Sequence, residues 1–205
     1  MNKEINSNGR PYVDLDLPSG TLWATMNVGA SKPSDYGLYF QWGDTKGYAK
    51  GQVGMGKGKK MFAPDWSDYK FGVNPNFTKY AEPGATLELE DDAAHVHMGG
   101  DWHMPTPEQI QELLDNTIST WETLYGVNGR LFTSKNDNSK SIFIPAAGYA
   151  WDCSVQGSGD YGYVWSSMLS TSNADYGQSL DFGSDDAYLD NGSRYYGLSV
   201  RGVIG

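Results

Sequence analysis

The sequence predicts an α+β fold, with two short helices set among many short antiparallel strands and long loops. Three observations carry that expectation. Only "TPEQIQELLDN" and "ELEDDAAHVHM" combine helical periodicity with a start signal. Apolar alternation of the strand type recurs near both ends of the chain. The 26 glycines and nine prolines interrupt most of what lies between. At 205 residues the chain can bury one sizeable core, so residues 1–205 read as a single domain with residues 1–10 as a flexible lead-in. Fourteen Tyr and seven Trp are too many for a disordered chain.

Taken in order, "YVDLDLPSGTLWATMNVGA" alternates Val13, Leu15 and Leu17 with Asp14 and Asp16, breaks at Pro18-Ser19-Gly20, and resumes with Leu22 and Trp23. This is the pattern of a β-hairpin. "YGLYFQWGD" gives a short aromatic strand. The stretch from Lys46 to Tyr80 holds too much Gly and Pro for regular structure and reads as a long surface excursion pinned by Trp66, Tyr69 and Phe71. Acidic residues open the helix in "ELEDDAAHVHM", where the helix dipole favours them. In "TPEQIQELLDN", Thr106 is the N-cap, Pro107 the first helical residue and Gln109 the second half of a capping box; Ile110, Leu113 and Leu114 share a face. From "GRLFTSK" onward the pattern turns to strands: "SIFIPAAGYAW", "YGYVWSSML", "QSLDF" and "GLSVRGV". Trp23, Trp42, Trp102, Trp151 and Trp165 are expected in or near the core.

A net charge of -10 argues against nucleic-acid phosphate as a partner, because the only basic run is Lys57, Lys59 and Lys60. No window is apolar enough to span a bilayer, and "MNKEINSNGR" has no apolar segment resembling a secretion signal. A single cysteine, Cys153, excludes an intrachain disulfide and a cysteine-based zinc site and is expected to be a buried structural thiol. No cofactor is implied.

Together, "YVDLDLPSGTLWATMNVGA", "YGLYFQWGD", "LEDDAAHVHMGGDWHMPTPEQIQELLDN", "SIFIPAAGYA", "YVWSSM" and "GLSVRGV" resemble the Fibrobacter succinogenes major paralogous domain family, in that order and over nearly the whole chain. The resemblance implies a C-type lectin-like fold, in which two short helices flank twisted antiparallel strands and the chain ends meet in one sheet. It would place residues 12–17 close to residues 198–203. The last quarter, "YVWSSM" followed by a polar run and "RYYGLSVRGV", is similar to the variable region of proteins diversified by retroelements in phages and gut bacteria. There, miscopied adenines scatter Asn codons into NNY codons, which cannot encode Lys, Glu, Gln, Met or Trp. The first 140 residues contain eleven Lys and seven Glu, and the 65 after Lys140 contain neither despite seven Asp. By proportion about eight would be expected in an ordinary mixed surface. The absence favours the diversified reading over the alternative that a Gly/Ser/Asp-rich turn region simply avoids Lys and Glu.

Under the diversified reading, residues 160–205 are the variable ligand-binding region, and the run ahead of "GLSVRGV" is a loop held at its end by the sheet. Trp165, Met168 and Gln178 are then fixed scaffold. The candidate ligand-binding residues are Tyr161, Tyr163, Asp175, Tyr176, Ser184, Asp185, Tyr188, Asp190, Asn191, Ser193, Tyr195 and Tyr196. Tyrosine offers large contact area at low rotamer cost, and Ser, Gly and Asn offer adaptable hydrogen bonds, the chemistry of antibody paratopes. Any one of these tyrosines could instead be a half-buried strand residue. The partner expected is a protein or glycan on a cell surface, with the chain itself on a virion tail or a bacterial surface, and with assembly into oligomers left open.

Other motifs are weaker. The Glu-Pro-Asn, Gln-Pro-Asp and Trp-Asn-Asp tripeptides of calcium-dependent lectins are absent, so the tryptophans alone would have to carry any sugar binding. His95, His97 and His103 beside Asp91 and Asp92 could be imagined as a metal cluster, but His95 and His97 fall on different helix faces and read as cap and surface residues. "GQVGMGKG" has the glycine and lysine spacing of a phosphate loop but places Gly58 where Ser or Thr must hold magnesium. Formylglycine-generating enzymes share a related fold, yet they need a cysteine pair, and no nucleophile elbow is present either. The sequence therefore favours a binding protein over an enzyme, with a non-diversified adhesin as the alternative from the same fold.

Overall fold

The computed structural model describes residues 4–5, 9–56 and 59–205. It is a mixed, mostly antiparallel β structure with two short α-helices, an α+β protein. Helix α1 spans Ala93–Met98 and helix α2 spans Pro107–Asn116. The side chain of Asp92 caps α1 by accepting from the His95 amide, and Thr106 and Gln109 form the expected capping box on α2. Among the described residues no helix is long and apolar enough to cross a membrane.

The hairpin formed by Pro11–Asp14 and Leu22–Ala24 lies in a four-stranded antiparallel sheet with Glu4–Ile5 at one edge and Val203–Ile204 at the other. The first and last strands of the chain thus share a sheet, although Val203 pairs with Trp23 rather than with residues 12–17. Within the stretch expected to be a flexible lead-in, Glu4–Ile5 pairs with Pro11–Tyr12; residues 1–3 and 6–8 lie outside the described residues.

Among the described residues, two three-stranded meanders and three two-stranded sheets build the rest. One meander joins Thr117–Leu124, Val127–Ser134 and Ser141–Pro145, its first turn made by Tyr125 and Gly126, both at positive φ. The other joins Gly162–Leu169, Tyr176–Phe182 and Ala187–Ser193. The glycine-rich excursion is more regular than expected: Tyr48–Ala49, Gly54–Gly56 and Lys59–Phe62 are strands, so the phosphate-loop near-match falls partly on a hairpin. Of its expected anchors, Tyr69 and Phe71 are buried and Trp66 is half-buried. Lys57 lies outside the described residues.

The core has two main halves. Ile110 and Leu113 of α2 pack with Trp23, Phe132, Ile144, Val164, Leu180 and Phe182. Trp42, Trp165, Phe40, Met104, Leu198 and Val200 form the second. Residues 198–203 are not the regular strand expected. They run extended and buried between neighbours: Leu198 exchanges hydrogen bonds with Phe40, and the Ser199, Val200 and Gly202 carbonyls accept from the Trp165, Val28 and Ala24 amides. Two guanidiniums are fully buried here, Arg201 within this segment and Arg194 just before it. Arg201 donates to Asn27 Oδ1 (2.9 Å), the Ala24 carbonyl (2.9 Å) and the Phe143 carbonyl (3.1 Å). Arg194 donates to Tyr69 Oη (2.7 Å) and to the Tyr80 and Ala174 carbonyls, with the rings of Trp42, Tyr69 and Phe77 against it. With no carboxylate among these partners, ring faces and carbonyl dipoles offset the loss of hydration. Burial alone brings Arg201 down to about 9.

Candidate functional site

The polar run before "GLSVRGV" is a strand, not a loop. Ala187–Ser193 pairs with every residue of Tyr176–Phe182, from Phe182↔Ala187 to Tyr176↔Ser193. Only Gly183 to Asp186 turn between them, held by a hydrogen bond from the Gly183 amide to the Asp186 carbonyl. Because side chains alternate along a strand, Leu180, Phe182 and Leu189 face the α2 side of the sheet, and Ser179, Asp181, Tyr188 and Asp190 face away from it.

On that second face the strand registers set up rows across the sheet. Tyr163, Asp181 and Tyr188 are successive cross-strand partners, as are Trp165, Ser179 and Asp190. Farther along, Gly177 and Gly192 pair under indole rings: a Cβ on Gly177 would stand 2.7 Å from Trp42 Cδ1, and one on Gly192 3.1 Å from Trp165 Cη2. The glycines let the tryptophans lie flat on the sheet and seal that end. The Tyr163–Asp181–Tyr188 end is open.

Two clefts meet there. One, of about 200 Å³, is lined by Tyr161, Tyr163, Asp181, Ser184, Asp185 and Tyr188. The second, of about 180 Å³, is lined by Tyr149, Asn191, Gly192 and Tyr196 and shares Tyr163 and Asp181 with the first. Ring contacts tie their walls together: Tyr149 lies 5.3 Å from Tyr163 and 5.1 Å from Tyr196, and Tyr195 lies 4.8 Å from both Tyr196 and Trp66.

Of the twelve residues singled out from sequence, Tyr161, Tyr163, Ser184, Asp185 and Tyr188 gather around the first cleft and Tyr196 around the second, which Asn191 also borders although alternation turns its side chain toward the α2 side. Asp190 is exposed beside them on the edge strand. Tyr195 is half-buried behind Tyr196. Asp175, Tyr176 and Ser193 are not part of this group: Tyr176 and Ser193 pair at the opposite end of the strands, and Asp175 accepts from Asn74 Nδ2 at 3.1 Å. Five residues of strand, roughly 17 Å, separate Tyr188 from Ser193.

Two participants were missed. Tyr149 sits in a two-stranded hairpin with Ser154–Gln156 and links the clefts. Asp181 is 9 % exposed and lies where the clefts join. Its Oδ1 accepts from Ser179 Oγ at 2.5 Å, and no other hydrogen bond reaches it among the described residues. Burial, helped by nearby Asp190 and opposed by the Ser179 hydroxyl, pushes its carboxyl up to about 7. The signal was present in "QSLDF", whose alternation puts Ser179 and Asp181 opposite Leu180 and Phe182. Tyr163 and Tyr188 are likewise raised above the usual phenol range, chiefly by burial and then by Asp181.

Other expectations meet the structure as follows. Trp23, Trp42, Trp102 and Trp165 are buried, but Trp151 is 44 % exposed, because its strand lies in a two-stranded hairpin with Ser154–Gln156. Cys153 is exposed, not buried, since it falls in that hairpin's turn. Each histidine is engaged with backbone carbonyls: His95 with Trp102, His97 with Thr45, and His103 with Met104 and Gly205. The acidic group Glu88, Glu90 and Asp91 closes on Lys79 Nζ, which lies within 3.0 Å of all three. No protein-family model, curated protein or solved structure matches the chain.

Proposed function

We propose that this is a non-catalytic ligand-binding protein of C-type lectin-like fold, whose C-terminal sheet presents a face diversified by a retroelement for adhesion to a protein or glycan on a cell surface. It acts by display, on a phage tail or a bacterial surface. The observation that carries the reading is the open end of the Gly162–Leu169, Tyr176–Phe182 and Ala187–Ser193 sheet: tyrosines and small polar residues converge there, in the part of the chain that lacks Lys and Glu. The NNY-compatible residues Tyr188, Asp190 and Asn191 are exposed, whereas Trp165, which no NNY codon encodes, is fully buried. Varying the first set costs the scaffold little, because exposed substitutions change stability by only about 0.5 kcal/mol.

Sequencing sibling loci and the flanking DNA tests this. Expected are differences concentrated at the codons for Tyr161, Tyr163, Tyr188, Asp190, Asn191 and Tyr196, with a neighbouring reverse transcriptase and a template copy of the 3′ end. Differences spread evenly along the gene would sink the reading.

A second reading, a non-diversified carbohydrate adhesin, is favoured by one observation. Trp151 is exposed and lies 6.4 Å from Tyr196 with the two rings inclined at 65°, so the indole offers a free aromatic surface of the kind sugar rings stack on. Glycan-array binding that is lost in Trp151→Ala and survives Tyr188→Ala would establish it over the first.

A further inference from the structure

The first cleft is acidic as well as aromatic. Tyr161, Tyr163 and Tyr188 contribute three rings, and Asp181, Asp185 and Asp186 contribute carboxyl groups. Ring faces carry negative charge density and attract cations, most strongly where water is displaced. Asp181 is the member that points to a ligand. It is nine-tenths buried, one oxygen accepts from Ser179, and the other accepts no hydrogen bond among the described residues. A buried carboxyl without a cationic partner costs stability, and this one stands on the sheet face that an outside group can reach.

We propose that this cleft takes a single cationic group of the ligand, a lysine or arginine side chain or an alkylammonium headgroup, with the charge against Asp181 and the stem between the tyrosine rings. The proposal rests on reading this face as the ligand-binding face and names the chemistry it selects. At about 200 Å³ the cleft is smaller than pockets that enclose whole small molecules and is suited to one headgroup presented by a larger partner.

The charges around Asp181 are mostly of its own sign. Asp190 faces it from the edge strand, Asp185 and Asp186 from the turn, and the Tyr163 and Tyr188 hydroxyls from the flanking strands. Arg130 reaches toward that turn and not toward Asp181: Nη1 lies 4.0 Å from Asp186 Oδ1, Nη2 donates to the Ser184 carbonyl at 3.4 Å, and Nε is buried without a partner among the described residues. Asp181 titrates near 7, so a ligand cation that requires the carboxylate binds about tenfold more tightly at pH 8 than at pH 6.

The test is a titration of the full chain followed by NMR of the tyrosine ring signals. The probes are Nα-acetyl-lysine amide, Nα-acetyl-arginine amide and choline, with Nα-acetyl-norleucine amide as the neutral counterpart of lysine. Expected are saturable shifts of the Tyr161, Tyr163 and Tyr188 rings by at least one cationic probe, with a Kd of about 1–10 mM at pH 8. Norleucine amide should bind at least about fivefold more weakly. Asp181→Asn should weaken cation binding and remove its pH dependence, Tyr188→Ala should weaken it without unfolding the sheet, and Asp175→Asn should leave it unchanged. Equal shifts from norleucine amide, no shift from any probe up to about 50 mM, or an unchanged pH dependence in Asp181→Asn would each overturn the proposal. If the probes fail while sibling loci vary at these codons, the cation preference falls and the binding face stands. The reverse pair of results removes diversification and leaves the cation site.

Discussion

The two ends of the Gly162–Leu169, Tyr176–Phe182 and Ala187–Ser193 sheet use the same strands for opposite purposes. At one end, Gly177 and Gly192 let Trp42 and Trp165 lie against the backbone, each indole donating to a carbonyl, Trp42 to Ser166 and Trp165 to Phe40. At the other end the same face carries Tyr163, Asp181 and Tyr188 with clefts above them. The sealed end has shape-matched aromatic packing and satisfied polar atoms, which stabilise the fold. The open end holds a buried carboxyl, which costs stability. If the open end is the binding face proposed above, stability and binding are separated along one sheet by a few residues of register.

The largest effect expected is at the sealed end. Trp165→Ala removes a fully buried indole and its bond to the Phe40 carbonyl and should cost about 3–5 kcal/mol in chemical denaturation. A loss below about 1 kcal/mol would mean the two ends are not energetically distinct.

Next comes Asp181. Its folded carboxyl titrates near 7, above the ordinary 3.8. In acid both states are protonated and nothing is lost. As pH rises through 4 the unfolded chain releases this proton first, so folding stability falls until the folded carboxyl also ionises near 7, and is level beyond. The loss is on the order of 2–4 kcal/mol. Asp181→Asn keeps an acceptor for Ser179, should be more stable than the parent at pH 8, and should lose the advantage at pH 4, measured by denaturation of both proteins across that range.

Gly177→Ala sharpens the contrast from the other side. The added methyl meets Trp42 at 2.7 Å, and the indole is held by its bond to the Ser166 carbonyl, so about 1–3 kcal/mol should be lost. An unchanged midpoint would show that the seal is looser than the distances indicate.

How far the sequence revealed this depends on the scale of the interaction that decides each element. Helix α2 was legible because its determinants are local: Thr106, Pro107 and Gln109 set the start, and Ile110 and Leu113 set the buried face. The hairpin around Pro18 was legible for the same reason. Ala187–Ser193 was not, because Asp, Asn, Gly and Ser are poor strand formers, and its state is decided by pairing with Tyr176–Phe182 and by Leu189 packing toward α2. Arg194 sits in the same polar run and resembles a surface residue until Trp42, Tyr69 and Phe77 are seen around it. Of the candidate site, the tyrosines were readable by type. Asp181 was not readable by composition, since its role comes from alternation across three paired strands.

Tyr188 gives the smallest stability effect and the most direct comparison of the ends. It is 50 % exposed on an edge strand, its amide and carbonyl serve the ladder whatever its side chain, and its inward neighbour Leu189 does the packing. Tyr188→Ala should therefore shift the denaturation midpoint by no more than about 0.5 kcal/mol. It would nevertheless remove a ring from one wall of the first cleft and weaken binding of whatever the cleft holds. The same truncation of an aromatic at Trp165, one row along the same face, should do the opposite, costing about 3–5 kcal/mol while leaving the walls of the first cleft intact. Measuring both variants for stability and for ligand or probe binding separates the two properties within one sheet. If Tyr188→Ala proves as destabilising as Trp165→Ala, the open end is core, and the positions argued to tolerate variation do not.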